Sequence, residues 1–381
     1  MAHVVILGGG FGGLAAANEL RTILPEGDDV TLVDRAGTFF MGFAKLWDLA
    51  RTRPLTGGTA SLDALHDRGV RFLHSDITAI DPAARRVETD AATLDADAIL
   101  VALGAGPSPK HLAMLDAHPH AHDLYDATCL PAIHHDLDTV DHGRVVVAIL
   151  GGPFKCPPAP YEAVLIVDER LRARGVRDDV AVTIVTPQPM TLPVAGVDAS
   201  RYIADHLGEH DVGLQSGQPV TAVDDGHLTL ADDTTIEWSV LLGVPATAPP
   251  PVIAPLVGPS GWIEPDRHTL RTQHERVYAV GDCTQIPTAT AQLPKAGVFA
   301  AAQGVVAARN IAADLGVPGA AGDRFEGHGF CFLELPGENV AFVEGNFYAD
   351  PAPDVTLTPA DHEQFRRKQE YERARLSEWL G

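Results

Sequence analysis

A glycine-rich turn near the amino terminus constrains the fold more than any other feature of the sequence. The apolar run Val4–Leu7 predicts a strand of a parallel sheet covered on both faces, and the turn Gly8–Gly13 follows it directly. Residues 14–20 then predict a helix, and a second apolar strand over residues 30–33 ends at Asp34. This order of strand, glycine turn, helix, strand and acidic residue predicts a Rossmann-like α/β unit.

Three glycines of this turn have the spacing G-x-G-x-x-G. Gly8 permits the tight turn, Gly10 permits close approach of the backbone to a pyrophosphate, and Gly13 permits close packing of the helix on the strand. The free N–H groups at the helix N-terminus favour the same anion. Asp34 is placed to accept hydrogen bonds from a ribose, and its neighbour Arg35 belongs to the predicted site. We therefore expect this turn to bind a dinucleotide.

The composition limits the partners of the protein. The 381 residues suffice for two or three domains. Because 51 acidic side chains outnumber 28 basic ones, giving a formal net charge of −23, nucleic acid is not an expected partner. There is no readable secretory signal and no apolar run long enough to span a membrane. The sequence thus predicts a cytoplasmic protein, and a peripheral contact with the cytoplasmic membrane stays open.

The rest of the chain predicts a second α/β unit inserted into the first. Apolar residues 145–150 begin this unit, followed by a helical segment over residues 161–174 and a strand over residues 180–185. Pro-rich sequence over residues 245–255 marks the return to the first domain. The predicted fold class is α/β, with two Rossmann-like dinucleotide-binding domains, the first interrupted by the second, and a short C-terminal α+β segment. The predicted boundaries are 1–107 and 251–320 for the first domain, 108–250 for the second and 321–381 for the C-terminal segment.

Two later segments favour FAD as the dinucleotide. Residues 276–282 resemble the flavoprotein signature in which a strand ends in Gly-Asp and the carboxylate, here that of Asp282, holds the FAD ribitol. Gly104, within Leu103-Gly104-Ala105, resembles the second flavin fingerprint of the same superfamily. Because these segments accompany the Gly8–Gly13 turn, the first domain is expected to bind FAD and not NAD.

The second α/β unit lacks the pattern that binds a nicotinamide dinucleotide. Its turn begins Gly151-Gly152-Pro153 without a third glycine, and three prolines soon after Cys156 stand where a helix N-terminus would bind pyrophosphate. Proline has no N–H group to donate to an anion. The next strand ends at Val185-Thr186-Pro187 and not at an acidic residue. We therefore expect no NAD(P)H site in this domain and a rigid loop around Cys156.

These features together resemble the family of sulfide:quinone oxidoreductases and the flavoprotein subunit of flavocytochrome c sulfide dehydrogenase. The resemblance extends to about Gly345, and its more specific part is a cysteine pair in place of a nicotinamide site. The residues that carry it are Gly8–Gly13, the segment Cys156-x-x-x-x-Tyr161-Glu162, Gly281-Asp282, Leu293-Pro294-Lys295-Ala296-Gly297, and Cys331 within Gly329-Phe330-Cys331-Phe332.

The resemblance implies a redox role for two cysteines. In that family two cysteines beside the flavin form a disulfide, sulfide attacks it, and two electrons pass through FAD to quinone or another acceptor. These roles carry over to Cys156 and Cys331, with Lys155 as a cation that would lower the pKa of a thiol. The alternative is that both cysteines are buried packing residues. The implied function is an FAD-dependent oxidoreductase that oxidises sulfide or a small sulfur species.

Further site residues follow from the same resemblance. Cys129 stands where several members have a third cysteine, sometimes bonded to the flavin, whereas Cys283 is expected to pack near the cofactor. Lys295, Ala296 and Gly297 match the element that faces flavin N1 and O2, where a lysine and a helix N-terminus would stabilise the anionic reduced flavin. No metal site is predicted.

Several alternatives stay open. A type II NADH dehydrogenase-like flavoprotein is the second enzyme candidate, and a non-catalytic flavin-binding sensor or docking protein is the third candidate. Glu162 is a candidate general base, with a structural role as the alternative. The His-rich segment 111–142 is interpreted as a solvated loop and not as a metal site. The apolar stripe of the terminal helix, over residues 361–380, either packs on the protein or forms a subunit contact, as in a homodimer.

Overall fold

Two parallel sheets and one antiparallel sheet organise the fold, which a computed structural model describes over residues 1–381. Eight helices accompany these sheets. In chain order they are α1 (Phe11–Ile23), α2 (Ala44–Leu49), α3 (Pro109–Asp116), α4 (Leu130–Thr139), α5 (Ala159–Arg174), α6 (Gly196–Glu209), α7 (Gly297–Asp314) and α8 (His362–Leu380).

The strands form the three main sheets and several small hairpin sheets. In chain order they are β1 (His3–Leu7), β2 (Asp29–Asp34), β3 (Thr38–Phe40), β4 (Thr59–Ser61), β5 (Arg71–His74), β6 (Ile77–Asp81), β7 (Arg86–Thr89), β8 (Thr93–Asp95), β9 (Ala98–Val101), β10 (Gly106–Pro107), β11 (Ala121–Asp123), β12 (Gly143–Ile149), β13 (Val180–Thr186), β14 (Gly213–Ser216), β15 (Val220–Asp224), β16 (His227–Leu230), β17 (Thr235–Glu237), β18 (Val240–Val244), β19 (Thr247–Ala248), β20 (Val277–Ala279), β21 (His328–Leu335), β22 (Asn339–Asn346) and β23 (Asp354–Asp361).

The first sheet has the strand order β20-β9-β1-β2-β5, and all its strands are parallel. Val4 pairs with Val30 on one side and with Ala98 on the other, so β1 lies at the centre. The apolar residues Val4–Leu7 are fully buried because packed side chains cover both faces of the sheet. Since β20 follows the second domain in the chain, the first domain is interrupted, as the sequence predicted.

The second sheet has the strand order β11-β18-β12-β13-β14, again with parallel strands. β12, α5 and β13 occupy the positions that the sequence predicted for the strand, helix and strand of the second α/β unit. Two Rossmann-like sheets in one chain confirm the predicted α/β fold class. The exact domain boundaries stay predictions.

The C-terminal segment is an antiparallel sheet followed by a helix. β21, β22 and β23 pair in sequence order, and α8 follows them. Trp379, near the end of α8, packs edge-on against Phe11 and Phe39, with its ring centroid 5.7 Å from each of theirs. Phe365 and Leu380 are also buried, so the apolar stripe of α8 packs on the protein itself. None of the eight helices combines enough length with enough apolar character to cross a lipid bilayer.

The His-rich segment 111–142 is not the loop that the sequence suggested. It contains α3, β11 and α4, and in α4 Ile133 and Leu137 lie on a buried face with helical spacing. The histidines between such apolar positions hid this pattern in the sequence. Two of them contact acidic side chains: His122 Nε2 lies 2.7 Å from Asp136 Oδ2, and His134 Nε2 lies 2.8 Å from Asp48 Oδ1. The chain contains no group of three or more His, Cys, Asp or Glu side chains arranged to hold a metal ion.

Candidate active site

One large cavity lies where the two α/β domains meet the C-terminal sheet. Its volume is about 420 Å³, and its walls come from the glycine turn, the start of α7, the loop before α5, and β21. The carboxyl ends of parallel strands open into it, which is where α/β proteins bind ligands. Eight of the predicted site residues line the cavity: Gly10, Gly104, Cys156, Asp282, Lys295, Ala296, Gly297 and Cys331.

The glycine turn leaves open space at the position predicted for a phosphate. Gly8 has φ +107°, and a Cβ atom there would lie 2.3 Å from the carbonyl oxygen of Ala102. A Cβ atom at Gly13 would lie 1.8 Å from the Gly8 carbonyl oxygen, so both positions require glycine. At Gly10, the N-cap residue of α1, no atom lies within 4 Å of the Cβ position. The turn therefore packs tightly against the sheet and opens toward the cavity.

Asp34 and Arg35 lie on the other side of the same turn. Asp34 Oδ2 accepts a hydrogen bond from the Gly9 N–H at 2.5 Å, and its Oδ1 accepts one from the Ala36 N–H at 2.7 Å. Arg35 is exposed and lines, with His74, a second cavity of about 350 Å³. This second cavity lies at the carboxyl ends of β2 and β5, where α/β proteins bind nucleotides, which makes it the candidate position for the adenosine half of a dinucleotide.

Asp282 presents its carboxylate to the large cavity without a hydrogen-bond partner in the protein. Burial raises the pKa of Asp282, and the ammonium groups of Lys295 and Lys155 oppose this rise. The Gly281 N–H donates to Gln303 Oε1 at 2.8 Å, which fixes the turn that carries Asp282. A buried carboxylate without a partner fits a ligand that supplies hydroxyl donors, such as the ribitol of FAD.

The Lys295 side chain is largely occupied by the protein. Its Nζ donates to the carbonyl oxygens of Asp282 and Thr284, at 2.7 and 3.0 Å, and lies 3.6 Å from the ring centroid of Trp262. Burial lowers the pKa of Lys295. The ammonium group therefore holds the turn that carries Asp282. Its predicted interaction with flavin N1 and O2 stays a prediction.

The start of α7 completes the surface that faces the cavity. The N–H groups of Gly297 and Val298 donate to no carbonyl group of the protein, so they are free for a ligand. A Cβ atom at Gly297 would lie 2.7 Å from the ring of Phe11. An open glycine turn, a free helix start and an unpartnered carboxylate around one cavity fit the binding of FAD.

Cys156 and Cys331 come from distant segments and line the same cavity. Cys156 has φ +46° in the loop after β12, where its N–H donates to the Lys295 carbonyl oxygen at 2.8 Å. Its own carbonyl oxygen accepts a hydrogen bond from the Tyr125 hydroxyl at 3.1 Å. Cys331 lies on β21, opposite Val343 of β22. Both thiols are free, so the structure places the two cysteines on one cavity without a disulfide between them.

Burial controls the acidity of both thiols. It raises the pKa of Cys156 to about 12, with Glu162 adding to the rise, while Lys368 and Lys45 act in the opposite direction. It also raises the pKa of Cys331 well above the usual range, and Cys156 adds to that rise. Neither cysteine is therefore a resting thiolate at neutral pH, and a nearby base is needed to form one.

The predicted effect of Lys155 on the Cys156 thiol stays a prediction. The cations that oppose the raised pKa of Cys156 are Lys368 and Lys45. The Lys155 ammonium acts on other groups, since it lowers the pKa values of both Asp282 and Lys45.

A buried cluster of three charged side chains, Glu162, Glu334 and Lys368, lies beside the cysteines. The sequence analysis identified only Glu162 of these three. Lys368 Nζ lies 2.6 Å from Glu334 Oε2 and 3.5 Å from Glu162 Oε1, and Glu162 Oε1 accepts the Glu334 N–H at 2.6 Å. Burial raises the pKa of Glu162 to about 7, although Lys368 opposes the rise. Lys368 was one of ten charged residues on the terminal helix, so no sequence signal distinguished it.

The start of α5 has no free N–H groups to offer a pyrophosphate. The N–H groups of Tyr161 and Glu162 both donate to the Pro158 carbonyl oxygen, at 2.9 and 3.1 Å. The N–H of Ala159 donates to the preceding loop, and the prolines have no N–H at all. The first turn of α5 therefore offers no free N–H group to the pyrophosphate of a nicotinamide dinucleotide.

The remaining two cysteines lie outside the cavity wall. Cys129 ends a short helical turn and is half-buried, and although Ala127 and Leu130 line the cavity, Cys129 does not. Its proposed role at the flavin stays a prediction. Cys283 is fully buried in the core of the first domain, and its thiol donates to the Val280 carbonyl oxygen at 3.2 Å.

Comparisons with known proteins assign a family. Residues 2–304 match the family described as pyridine nucleotide-disulphide oxidoreductase. The chain is 24% identical over 384 residues to the sulfide-quinone reductase of Aquifex aeolicus, an alignment that covers 92% of this chain and 84% of that protein. It is 27% identical over 313 residues to the demethylphylloquinone reductase NdbB of a Synechocystis species, over 76% of this chain and 74% of that protein.

The fold is also similar to solved structures. The X-ray structure of the sulfide:quinone oxidoreductase from the hyperthermophilic bacterium Aquifex aeolicus matches with a TM-score of 0.86 and 21% identity, over 98% of this chain and 90% of that chain. At this level of identity the likeness shows the fold alone. Because the family match covers most of the chain and the cavity fits FAD, the protein belongs to the pyridine nucleotide-disulphide oxidoreductase family and is an FAD-binding flavoprotein oxidoreductase.

Proposed function

We propose that this flavoprotein oxidises sulfide, or a small sulfur species, through Cys156 and Cys331, and that the electrons pass through FAD to a quinone. Relatives named sulfide-quinone reductase and sulfide:quinone oxidoreductase support this choice of substrate and acceptor. The homodimer, the peripheral membrane contact and the cytoplasmic location suggested by the sequence stay predictions.

One observation carries the proposal. Two cysteines from different domains line the cavity in which Asp282, Gly10 and Gly297 offer contacts to FAD. The first turn of α5 in the second domain has at the same time no free N–H group for the pyrophosphate of a nicotinamide dinucleotide. A thiol pair at this position can supply electrons where NAD(P)H does so in other two-domain flavoproteins.

The proposed chemistry starts from a disulfide between Cys156 and Cys331. Hydrosulfide attacks one sulfur of this bond, the S–S bond breaks, one cysteine becomes a persulfide and the other leaves as a thiolate. The persulfide and the thiolate then join through the added sulfur as a trisulfide, which releases two electrons and the persulfide proton. FAD, when bound, supplies the acceptor for the two electrons. A second nucleophile removes the added sulfur and restores the disulfide.

Glu162 supports the proton transfers in this scheme. Its pKa, raised by burial to about 7, allows it to accept and to release a proton near neutral pH. The same carboxylate raises the pKa of Cys156 and of Cys331, and all three residues line one cavity. The persulfide proton therefore has an acceptor inside the closed site, with Lys368 beside it to balance the charge.

An apolar wall supports a quinone as the acceptor. Five aromatic side chains line the part of the cavity formed by β3, the segment before α2, the C-terminal sheet and α8. A planar apolar ring gains from contact with such surfaces. The five residues are Phe40, Phe43, Phe330, Phe332 and Tyr371.

Anaerobic mixing of the oxidised holoprotein with sulfide, and separately with NADH, tests the proposal. We expect sulfide to bleach the flavin absorbance rapidly and NADH to bleach it slowly. Cys156→Ser and Cys331→Ser should each slow bleaching by sulfide more than ~100-fold, because no disulfide remains to be attacked. Cys283→Ala, which removes a thiol outside the cavity, should behave as the wild type. Unchanged bleaching in both active-site variants would contradict the cysteine assignment.

The same experiment separates the two alternatives. The relative named demethylphylloquinone reductase shows that a similar chain can act as a quinone reductase under a name that does not mention sulfide. If the protein is instead a type II NADH dehydrogenase-like flavoprotein, NADH would bleach the flavin faster than sulfide. A sensor or docking protein would bind FAD and show no turnover with either donor and a quinone. The occupied N–H groups at the start of α5 favour sulfide over NADH.

A further inference from the structure

The cavity wall beside Cys156 carries two ammonium groups without an acidic partner. Four lysines line the cavity of a protein whose formal net charge is −23. Lys295 is held by two carbonyl groups, and Lys368 by two glutamates. Lys45 and Lys155 also line the cavity, but neither forms a salt bridge. Two cations are therefore available to a ligand on the side of the thiols.

Lys45 is held in place next to the cysteine loop. It lies on α2, and its Nζ donates to the Tyr125 carbonyl oxygen and lies 5.1 Å from the centroid of the Tyr125 ring. The hydroxyl of the same tyrosine donates to the Cys156 carbonyl oxygen at 3.1 Å. α2 is itself held by α4, because His134 Nε2 of α4 lies 2.8 Å from Asp48 Oδ1 of α2. The ammonium group is thus tied to the Cys156 loop and does not extend into solvent.

The surroundings of Lys45 destabilise the charged form of its side chain, and a nearby anion would stabilise that form. Burial and the Lys155 ammonium lower the pKa of Lys45 to about 8, whereas Asp123 and Asp126 act in the opposite direction. Each of these two carboxylates already accepts a hydrogen bond from a backbone N–H group in its own turn. An anion between Lys45 and Lys155 would offset both the desolvation and the mutual repulsion.

We propose that Lys45 and Lys155 form a subsite for a small sulfur anion, of the size of hydrosulfide or thiosulfate, next to Cys156. The choice of sulfur anions rests on the proposed function, whereas anion binding itself is a separate property of the cavity. Each lysine supplies a charge-assisted hydrogen bond, and the anion is held beside the cysteine pair. Lys45 is thereby a substrate-binding residue that selects charged over neutral sulfur nucleophiles.

The phosphates of FAD do not account for these two lysines. The open space for a phosphate lies at Gly10, where the N-terminus of α1 supplies N–H donors and the positive end of its dipole. Lys45, in contrast, is bonded to Tyr125, which is bonded to the Cys156 loop. The subsite therefore belongs to the part of the cavity where the sulfur chemistry is proposed.

Calorimetric titration of thiosulfate into the holoprotein tests this subsite. The variants are Lys45→Met and, as a matched control, Lys110→Met, an exposed lysine on α3 outside the cavity. We expect Lys45→Met to weaken thiosulfate binding about tenfold or more at unchanged FAD content, and Lys110→Met to bind as the wild type. Lys45→Arg, which keeps the charge, should retain most of the affinity. In turnover, Lys45→Met should raise the KM for sulfide more than it lowers kcat.

Three results would overturn the subsite. The first is the absence of thiosulfate binding to the wild type, and the second is equal thiosulfate affinity in the wild type and in Lys45→Met. The third is loss of FAD from Lys45→Met, because the lysine would then bind the cofactor and not the anion. The calorimetric result is independent of sulfide oxidation. Thiosulfate binding that requires Lys45 in a protein that does not oxidise sulfide would support the subsite and refute the proposed function. Sulfide oxidation that does not depend on Lys45 would support the proposed function and refute the subsite.

Discussion

Glu162 has surroundings that make the stability of the protein depend on pH near neutrality. Its carboxyl group is buried, and its pKa is raised from 4.5 to about 7 by desolvation, against the opposing effect of Lys368. Because the folded state holds this proton more tightly than the unfolded state does, protonation of Glu162 stabilises the fold. The contribution is fully present below pH ~4.5 and is lost as the pH rises through ~7.

Replacement of Glu162 by Gln keeps the shape of the side chain and removes its titration. Between pH 5 and pH 8 we expect the free energy of unfolding of Glu162→Gln to fall less than that of the wild type, by up to ~3 kcal/mol. Urea unfolding of the holoprotein at both pH values measures this difference. Glu370→Gln, at an exposed position on α8, should keep the wild-type dependence. Identical pH dependence in Glu162→Gln and the wild type would contradict the raised pKa.

At the scale of elements, the crossing of α1 and α7 determines the shape of the cofactor cavity. A Cβ atom at Gly304 would lie 2.2 Å from the Gly12 carbonyl oxygen, and one at Gly12 would lie 2.8 Å from Val280 Cγ2. Both helices begin at the cavity, α1 after Gly10 and α7 at Gly297. The close approach of the two helices therefore sets the distance between their two N-termini.

Enlarging Gly304 should separate these helices. Gly304→Ala places a methyl group against backbone that cannot yield without moving α1, so we expect a loss of ~1–3 kcal/mol in stability and a lower FAD content after purification. Gly208→Ala in α6 is the matched control because no atom lies within 4 Å of its Cβ position. That variant should gain up to ~1 kcal/mol from helix propensity. Thermal unfolding measures the stability of each variant, and the flavin-to-protein absorbance ratio measures its FAD content. A Gly304→Ala protein with the wild-type stability and FAD content would contradict the requirement for close contact between α1 and α7.

The elements also show what the sequence can and cannot predict. The strands β1, β2, β12 and β13 and the Gly8–Gly13 turn were predicted, because a buried parallel strand is a continuous apolar run and the turn has steric requirements that only glycine meets. β14 was not predicted, since its short sequence is not an apolar run. α4 was missed since two histidines, His134 and His135, stand between its buried residues Ile133 and Leu137, and His134 pairs with Asp48 of α2. The positions of Lys45 and Lys368 at the cavity depend on how α2 and α8 pack, which no local pattern encodes.

At the scale of the whole molecule, α8 joins parts of the chain that are far apart in sequence. Lys368 contacts Glu162 of the second domain and Glu334 of the C-terminal sheet. One turn later, Glu372 accepts two hydrogen bonds from the Arg53 guanidinium, at 2.5 and 2.6 Å. The last turn packs in the core of the first domain. The three units should therefore unfold together, with the buried charges of α8 as their common contact.

Removal of the Lys368 cation tests this cooperativity. Lys368→Met leaves two buried carboxylates without a cation, and we expect a loss of ~3–5 kcal/mol in stability at pH 8. In the double variant Lys368→Met with Glu334→Gln, one of these charges is also absent, so part of the loss should be recovered. Urea unfolding followed by circular dichroism and by flavin fluorescence should give coincident transitions in the wild type and in Arg366→Met, an exposed control on the same helix. In Lys368→Met the flavin should be released at a lower urea concentration, because the C-terminal segment detaches first. Equal midpoints in the single and double variants would show that burial of the unpaired carboxylates is not the cause.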